Sequence, residues 1–328
     1  MKNLIQVLVI AFLFTACGDD DNTIITPSND APQVQSEATY SVITEEDITY
    51  AEGLSHQSIN SPNPTTIPLQ LDVYKPDNTV ENRPAIVLIH GGGFIGGSRK
   101  QSNLVNIAQY FAARGWVAFS IDYRLRDDYG TIPTEWENMA NLSPTTADQF
   151  LAIYPAHRDA KAALRWVIAN AATYNIDTDY ITVGGGSAGA ITAIAISIGG
   201  ATDFTDELSL TADPTLVSTN QDQTFQVKTI LDFWGSKISL DAHELVYGNN
   251  YFEPNNPPML IVHGTEDPTV PFSGAEDLKA LYDANGIPIA YYPIQGAGHG
   301  VWNATVDGKR IEELSFDFVV EQQGLNIQ

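Results

Sequence analysis

Basic residues are scarce in this chain of 328 residues: 16 Lys and Arg stand against 40 Asp and Glu, for a formal net charge of −24. A surface so negative repels phosphate backbones, which argues against nucleic acid as a partner and otherwise speaks only to solubility. Cysteine is almost missing. Cys17 stands alone, so no disulfide can close within the chain. The N-terminal apolar run, Leu4 to Phe14, is too short to cross a bilayer comfortably, and no internal repeat is visible. What remains is an ordinary hydrophobic content of 43 %, enough for a substantial core, and α/β chains of this length commonly form one domain.

The position of Cys17 explains it better than redox chemistry does. Lys2 precedes the apolar run, and Phe14-Thr15-Ala16-Cys17 follows, the layout of a cleavable export signal. The four residues resemble a bacterial lipobox, in which Cys17 is lipidated and becomes the mature N-terminus. Gly18-Asp19-Asp20-Asp21 resembles the acidic export tag of surface lipoproteins. Residues 1–17 are therefore expected to be a lipoprotein signal peptide, and the protein to sit at a bacterial cell envelope as a surface-exposed outer-membrane lipoprotein. Its only membrane contact would then be a lipid anchor. Residues 18–46, rich in Thr, Ser, Asn, Pro and Gln, read as a flexible tether, and 47–328 as one globular domain.

Within that domain strand-like and helix-like segments alternate. Leu69–Tyr74, Ala85–Ile89, Trp116–Ile121, Tyr180–Val183, Val227–Phe233, Met259–Val262 and Ile289–Tyr292 read as strands. Val105–Arg114, Asp159–Ala172, Ala188–Ile198, Gly274–Asn285 and a segment near Arg310–Val320 read as helices. This spacing predicts a mostly parallel sheet with helices on both faces. Arg126–Tyr154 and Thr202–Gln226 fit neither pattern and are long for connections, which marks a lid or a functional insertion.

Two glycine-rich segments carry the chemistry. Gly185, Ser187 and Gly189 form G-x-S-x-G between a predicted strand and a predicted helix. A serine on so sharp a turn projects beyond the carboxyl end of its strand, and close neighbours must lack bulk. His90-Gly91-Gly92-Gly93-Phe94 follows directly on the strand Ala85–Ile89. Glycines there let backbone N–H groups converge on a substrate oxygen. Gly91 and Gly92 are assigned as two donors of an oxyanion hole and the N–H of Ala188 as a third.

His90–Ser98 together with the Gly185–Gly189 turn resembles the α/β-hydrolase superfamily, in its carboxylesterase and hormone-sensitive-lipase-like branches. Asp122-Tyr123-Arg124-Leu125, and Arg158-Asp159 leading into Ala162–Val167, are similar to segments of those enzymes. The likeness runs from about Leu69 to Trp302, with Gly186 standing where many relatives have Asp or Glu before the serine. It implies an α/β-hydrolase fold with a mostly parallel sheet of about eight strands, and a triad in the chain order serine, acid, histidine. Of the six histidines, only His299, in Gly296–Gly300, follows the best acid. That acid is Asp267, placed by the likeness of Val262–Pro271 to the segment carrying the acid in carboxylesterase-like and prolyl-oligopeptidase-like hydrolases. Glu266 is the neighbouring alternative, and His263 reads as structural.

The resemblance thus implies a serine carboxylic-ester hydrolase working through an acyl-enzyme with Ser187 as nucleophile, His299 as base and Asp267 orienting it. No metal or other cofactor is expected. The substrate is expected to be a small-molecule or oligosaccharide ester, such as an acetyl or feruloyl ester of a polysaccharide. Phe94, Trp136, Phe233 and Trp234 are candidate pocket walls, with Tyr129 and Phe150 in the same insertion as Trp136. The competing readings are a serine peptidase or amidase of the prolyl-oligopeptidase kind and a non-catalytic, hydrolase-like binding lipoprotein.

Overall fold

The computed structural model describes residues 30–140 and 147–328; the expected signal peptide and Cys17 lie outside the described residues. In chain order the elements are β1 (Gln33–Val34), β2 (Val42–Ser55), β3 (Thr65–Pro76), β4 (Arg83–Ile89), α1 (Ser102–Ala112), β5 (Val117–Ile121), α2 (Thr134–Ala140), α3 (Ala147–Ala169), α4 (Ala171–Tyr174), β6 (Ile176–Gly186) and α5 (Ala188–Ile198). Then follow β7 (Thr229–Phe233), α6 (Ile238–Tyr247), β8 (Met259–Gly264), α7 (Ser273–Asn285), β9 (Ile289–Ile294), β10 (Thr305–Val306), β11 (Lys309–Arg310), α8 (Ile311–Gln323) and β12 (Asn326–Ile327).

Eight strands form one sheet in the order β2-β3-β5-β4-β6-β7-β8-β9. The first two pairings, β2 with β3 and β3 with β5, are antiparallel, and the rest are parallel. This is the α/β-hydrolase fold. Central strands such as β4 and β7 are buried along their whole length, as continuous apolar runs require when both faces are covered. Alternation sorts their side chains into two cores. Ile230 of β7 packs with α3, α5, α6 and α7 on one face, whereas Leu231 and Phe233 pack with α1 and α8 on the other. Ser187, at the end of β6, stands at the carboxyl edge of the sheet where the two layers meet.

The expected tether does not run to residue 46. Val34 is fully buried, β1 pairs in parallel with β12 through Gln33–Asn326 and Val34–Ile327, and β2 begins at Val42. Polar composition concealed this because β2 is an edge strand whose exposed positions are legitimately polar. The 126–154 insertion also contains structure, namely α2 and the first turns of α3. The helix expected from Asp159 begins at Ala147 and continues through Pro155, despite the backbone hydrogen bond that a proline forfeits. Helix α6 falls in a stretch to which no element had been assigned. Among the described residues no helix is long and apolar enough to cross a membrane.

Buried ion pairs join segments that are separate in sequence. Arg124 lays its guanidinium along Asp159, with Nε–Oδ2 2.8 Å and Nη2–Oδ1 2.6 Å, and its backbone N–H donates to the same carboxylate. Arg158 pairs with Asp213 at 2.5 Å. Arg99 ties Asp72 (2.8 Å), Asp122 and Asp47 together behind the glycine loop. Fork-shaped pairing of this kind fixes direction as well as distance, so the loops above the sheet rest on a braced base.

Candidate active site

At the end of β6 the chain turns abruptly into α5, and Ser187 takes φ 57°, ψ −122°. A non-glycine residue in that region is strained, and the strain persists only because the surroundings over-determine it. Here the Ser187 N–H donates to Phe233 O at 2.9 Å, and Ser187 O accepts from Ile191 N–H at 3.0 Å. The neighbouring glycines are steric necessities. A Cβ on Gly189 would lie 2.0 Å from Ile89 O. One on Gly186 would lie 2.7 Å from the Trp302 ring and 3.2 Å from that of Trp234. The two indoles, packed edge to face at 4.5 Å, fill the space that an Asp or Glu before the serine would need.

Ser187, His299 and Asp267 meet at this turn from three loops. His299 Nε2 lies 2.9 Å from Ser187 Oγ, and its Nδ1 lies 2.7 Å from Asp267 Oδ2. With the proton on Nδ1 donated to the carboxylate, Nε2 is free to accept from the hydroxyl. Asp267 Oδ1 in turn accepts from the N–H groups of Thr269 (2.8 Å) and Val270 (3.0 Å). Burial pushes the Asp267 carboxyl up, but the His299 bond and these two backbone bonds outweigh it and hold the group below the usual carboxylate range. Glu266 is exposed, and its backbone N–H donates to Ala297 O. His263 is fully buried, donates from Nε2 to Val270 O at 2.9 Å and faces Asp267 Oδ2 at 3.3 Å. It braces the acid loop from beneath.

The glycine loop is held from behind. His90 stacks on Tyr123 with ring centroids 4.3 Å apart, donates from Nδ1 to Gly91 O at 2.7 Å, and accepts at its own carbonyl from Tyr123 Oη at 2.9 Å. Gly91 lies so close to the elbow that a Cβ there would meet Gly186 O at 2.6 Å. Among the described residues nothing accepts a hydrogen bond from the backbone N–H groups of Gly91, Gly92 or Ala188. Such unspent donors beside a nucleophile can bind an oxyanion without reorganising. Gly93, which sequence reasoning passed over, faces the cavity beside Ser187.

That cavity, about 250 Å³, opens at Ser187 and Ala188 and is walled mainly by Phe94, Phe150, Ile153, Ile191, Ile238 and Val270. Gln149 reaches across its rim to donate to Gly93 O at 3.1 Å. Of the six expected wall residues Phe94 and Phe150 line it. Trp136 is fully buried one layer back, stacked on Phe150 at 4.9 Å with its Nε1–H donated to Phe150 O at 3.1 Å. Phe233 lies in the core of the opposite face. Trp234 is buried below His299, at 6.4 Å between ring centroids. Tyr129 is likewise absent from the lining. The missed walls come from four separate elements, and no local pattern marks such residues.

The turn that carries Trp234 and Ser236 hangs on Asp232, a fully buried carboxyl whose Oδ1 accepts from Gly235 N–H at 2.6 Å and whose Oδ2 has no partner. Burial raises its pKa to about 7, against a smaller lowering by the Gly235 bond. A folded value above the unfolded one means that the native protein holds the extra proton. Stability from this group is full below about 4 and is lost as pH rises through about 7. Asp232→Asn should therefore flatten this fall, gaining on the order of 1–3 kcal/mol over the parent at pH 8 relative to pH 5. Urea titrations of both proteins at the two pH values check it, and parallel curves would refute it.

Sequence spacing gave no hint of one more cluster: ligand-type atoms of Asp203, Glu207 and His243 lie within 4.8 Å of one another. Their atoms already serve one another and their neighbours. His243 Nε2 meets Glu207 Oε1 at 2.8 Å, Glu207 Oε2 accepts from Tyr154 Oη at 2.9 Å, Asp203 Oδ2 accepts from Gly200 N–H at 2.8 Å, and Tyr251 Oη meets His243 Nδ1. The cluster closes the 199–226 segment onto α3 and α6.

The chain and its fold are similar to those of known proteins. A family model described as BD-FAE matches residues 71–141 and 146–242. The chain is 25 % identical to esterase LipC of Mycobacterium tuberculosis over 250 residues, covering 70 % of this chain and 56 % of that protein. With esterase LipQ of the same organism it shares 26 % over 281 residues, covering 76 % and 58 %. The chain thus spans somewhat over half the length of these relatives. Among solved structures, Thermogutta terrifontis esterase 2 phosphorylated by paraoxon superposes with a TM-score of 0.59 at 26 % identity, over 84 % of this chain and 95 % of that one. The apo form of the same esterase gives the same score and identity over 84 % and 97 %.

Proposed function

The chain belongs to the BD-FAE family, within the carboxylesterase-like α/β-hydrolases, and from that membership we propose that it hydrolyses carboxylic esters through a Ser187–His299–Asp267 triad and an acyl-enzyme. One observation carries the reading: a strained serine at the mouth of an apolar cavity, 2.9 Å from an imidazole whose other nitrogen lies 2.7 Å from a buried carboxylate.

His299 Nε2 takes the Ser187 proton as Oγ attacks the ester carbonyl, and the carbonyl oxygen becomes an alkoxide on the N–H groups of the Gly91–Gly93 loop and Ala188. Each such donor is worth roughly 3–4 kcal/mol of transition-state stabilisation. The intermediate collapses by breaking the C–O bond to the alcohol, whose oxygen takes the proton from His299. Water, deprotonated by the same nitrogen, then frees the acid and restores Ser187. Asp267 keeps Nδ1 protonated and offsets the transient imidazolium charge.

The acyl group occupies the cavity of Phe94, Phe150, Ile153 and Ile191, whose apolar walls favour hydrocarbon over charge. For substrate we propose acyl esters of carbohydrates, acetyl or feruloyl, acted on at a cell envelope. A fluorophosphonate probe should phosphonylate the protein at a single residue, mapped by mass spectrometry to Ser187. An unlabelled protein, or label elsewhere, would overturn the triad reading.

A further inference from the structure

A second, smaller cavity lies on the other side of the nucleophile, and its chemistry is the opposite of the first. It holds about 190 Å³ and is lined chiefly by Asn103, Asn106, Trp302, Asn303, Thr305 and Arg310. Asn103 and Asn106 stand on the first turns of α1, and Arg310 caps α8, the two helices covering the sheet face away from the acyl cavity. Both helices begin at the carboxyl edge of the strands, so this cavity opens on the same edge of the molecule as Ser187.

Trp302 is the wall shared with the catalytic turn. Its six-membered ring edge crowds Gly186, the residue before Ser187, and the half-buried indole also borders the second cavity. Trp302 lies three residues beyond His299 on the same loop. The order of bond changes then decides what approaches it. His299 delivers its proton to the departing alcohol, so the alcohol half of the ester must leave on the His299 side. The acyl half already fills the cavity beneath α3, α5 and α6.

We propose that the cavity between α1 and α8 is the leaving-group subsite and that it takes one ring of a polyhydroxylated alcohol, a sugar unit. Three observations carry this. Among the described residues the side-chain amides of Asn103, Asn106 and Asn303 make no hydrogen bond within the protein, so their donors and acceptors are open to a ligand. Amides and an indole suit alternating hydroxyl and C–H surfaces, as a hydrocarbon chain does not. The Arg310 guanidinium is held by Glu312 at 2.9 Å and Glu313 at 3.6 Å, so the subsite is not a bare cationic pocket for an acid. Its volume lies below the roughly 300–1,000 Å³ of drug-sized sites, which limits the occupant to about one ring.

The inference rests on the ester-hydrolase reading, and a pair of substrates with one acyl group separates the two. A monoacetylated methyl glycoside and p-nitrophenyl acetate form the same acetyl-enzyme and differ only in the alcohol. The ratio of their kcat/KM values, glycoside over nitrophenyl, should fall about threefold in Asn103→Ala and in Asn303→Ala and on the order of tenfold in the double variant. Asn303 is exposed and Asn103 half-buried, and neither side chain has a hydrogen-bond partner among the described residues, so folding is not at stake. An unchanged ratio, or a parent protein that cleaves the nitrophenyl ester and leaves the glycoside intact, overturns the subsite while leaving the hydrolase. A parent protein that cleaves neither ester and resists the fluorophosphonate overturns both.

Discussion

Ser187→Ala should lower kcat on any ester substrate by on the order of 10⁶-fold and leave the fold as it is. The size follows from the loss of the only group that can form the acyl-enzyme. What remains is the binding and oxyanion contribution, which acts on water as a poor nucleophile. The fold should survive because the strained backbone at 187 is held by its own amide and carbonyl, donating to Phe233 O and accepting from Ile191 N–H. Alanine keeps both. Since the triad acts as a unit, adding His299→Ala to Ser187→Ala should cost almost nothing further. Steady-state rates with a p-nitrophenyl ester, beside thermal melts, are the check. A variant retaining a hundredth of the parent rate would move the nucleophile elsewhere.

Asp267→Asn should cost about 10⁴-fold in kcat, and the local geometry says why so small a change does so much. Asp267 Oδ1 accepts from two backbone N–H groups, those of Thr269 and Val270. In the asparagine variant these donors claim the remaining oxygen, and the new NH₂ is forced toward His299 Nδ1. That nitrogen must then accept, so the ring proton moves to Nε2, where it faces the Ser187 hydroxyl and can no longer take a proton from it. The defect should appear in kcat, with little change in melting temperature. In the parent the carboxyl stays ionised well into acid because the His299 and backbone bonds hold its pKa down. Activity lost at moderately low pH should therefore not trace to protonation of this acid. A variant whose rate falls only tenfold would show that the carboxylate merely props the loop.

The sharp turn at Ser187 was legible in sequence because its constraints are local. Gly185, Ser187 and Gly189 lie within one bend, and close approach of Ile89 O to Gly189 excludes side chains whatever the rest of the protein does. The parallel strands were legible for a related reason: burial on both faces leaves uninterrupted apolar runs such as Ala85–Ile89. The apolar cavity beside Ser187 was not legible. Its walls come from the loop after β4, α3, α5, the start of α6 and the loop of Asp267, and only the finished fold brings them together. Aromaticity misled in this region. Trp136 looked like a pocket wall, yet a ring that stacks on Phe150 and hands its N–H to a backbone carbonyl serves as the layer behind the wall. Pro155 hid the start of α3 in the same way, since proline reads as a helix boundary and here lies within the helix. At the N-terminal side the tether reading failed because Gln33 and Val34 find their partners almost three hundred residues later, at Asn326 and Ile327.

That last pairing fixes where the first described residues enter the fold. Gln35 and Thr39 donate to Arg114 and Ala113, at the trailing end of α1, so the incoming polypeptide docks on the edge of the sheet where strands begin. Ser187 sits on the edge where strands end. The first described residues therefore lie against the side of the sheet opposite the mouth of the cavity beside Ser187 and leave that mouth clear of themselves.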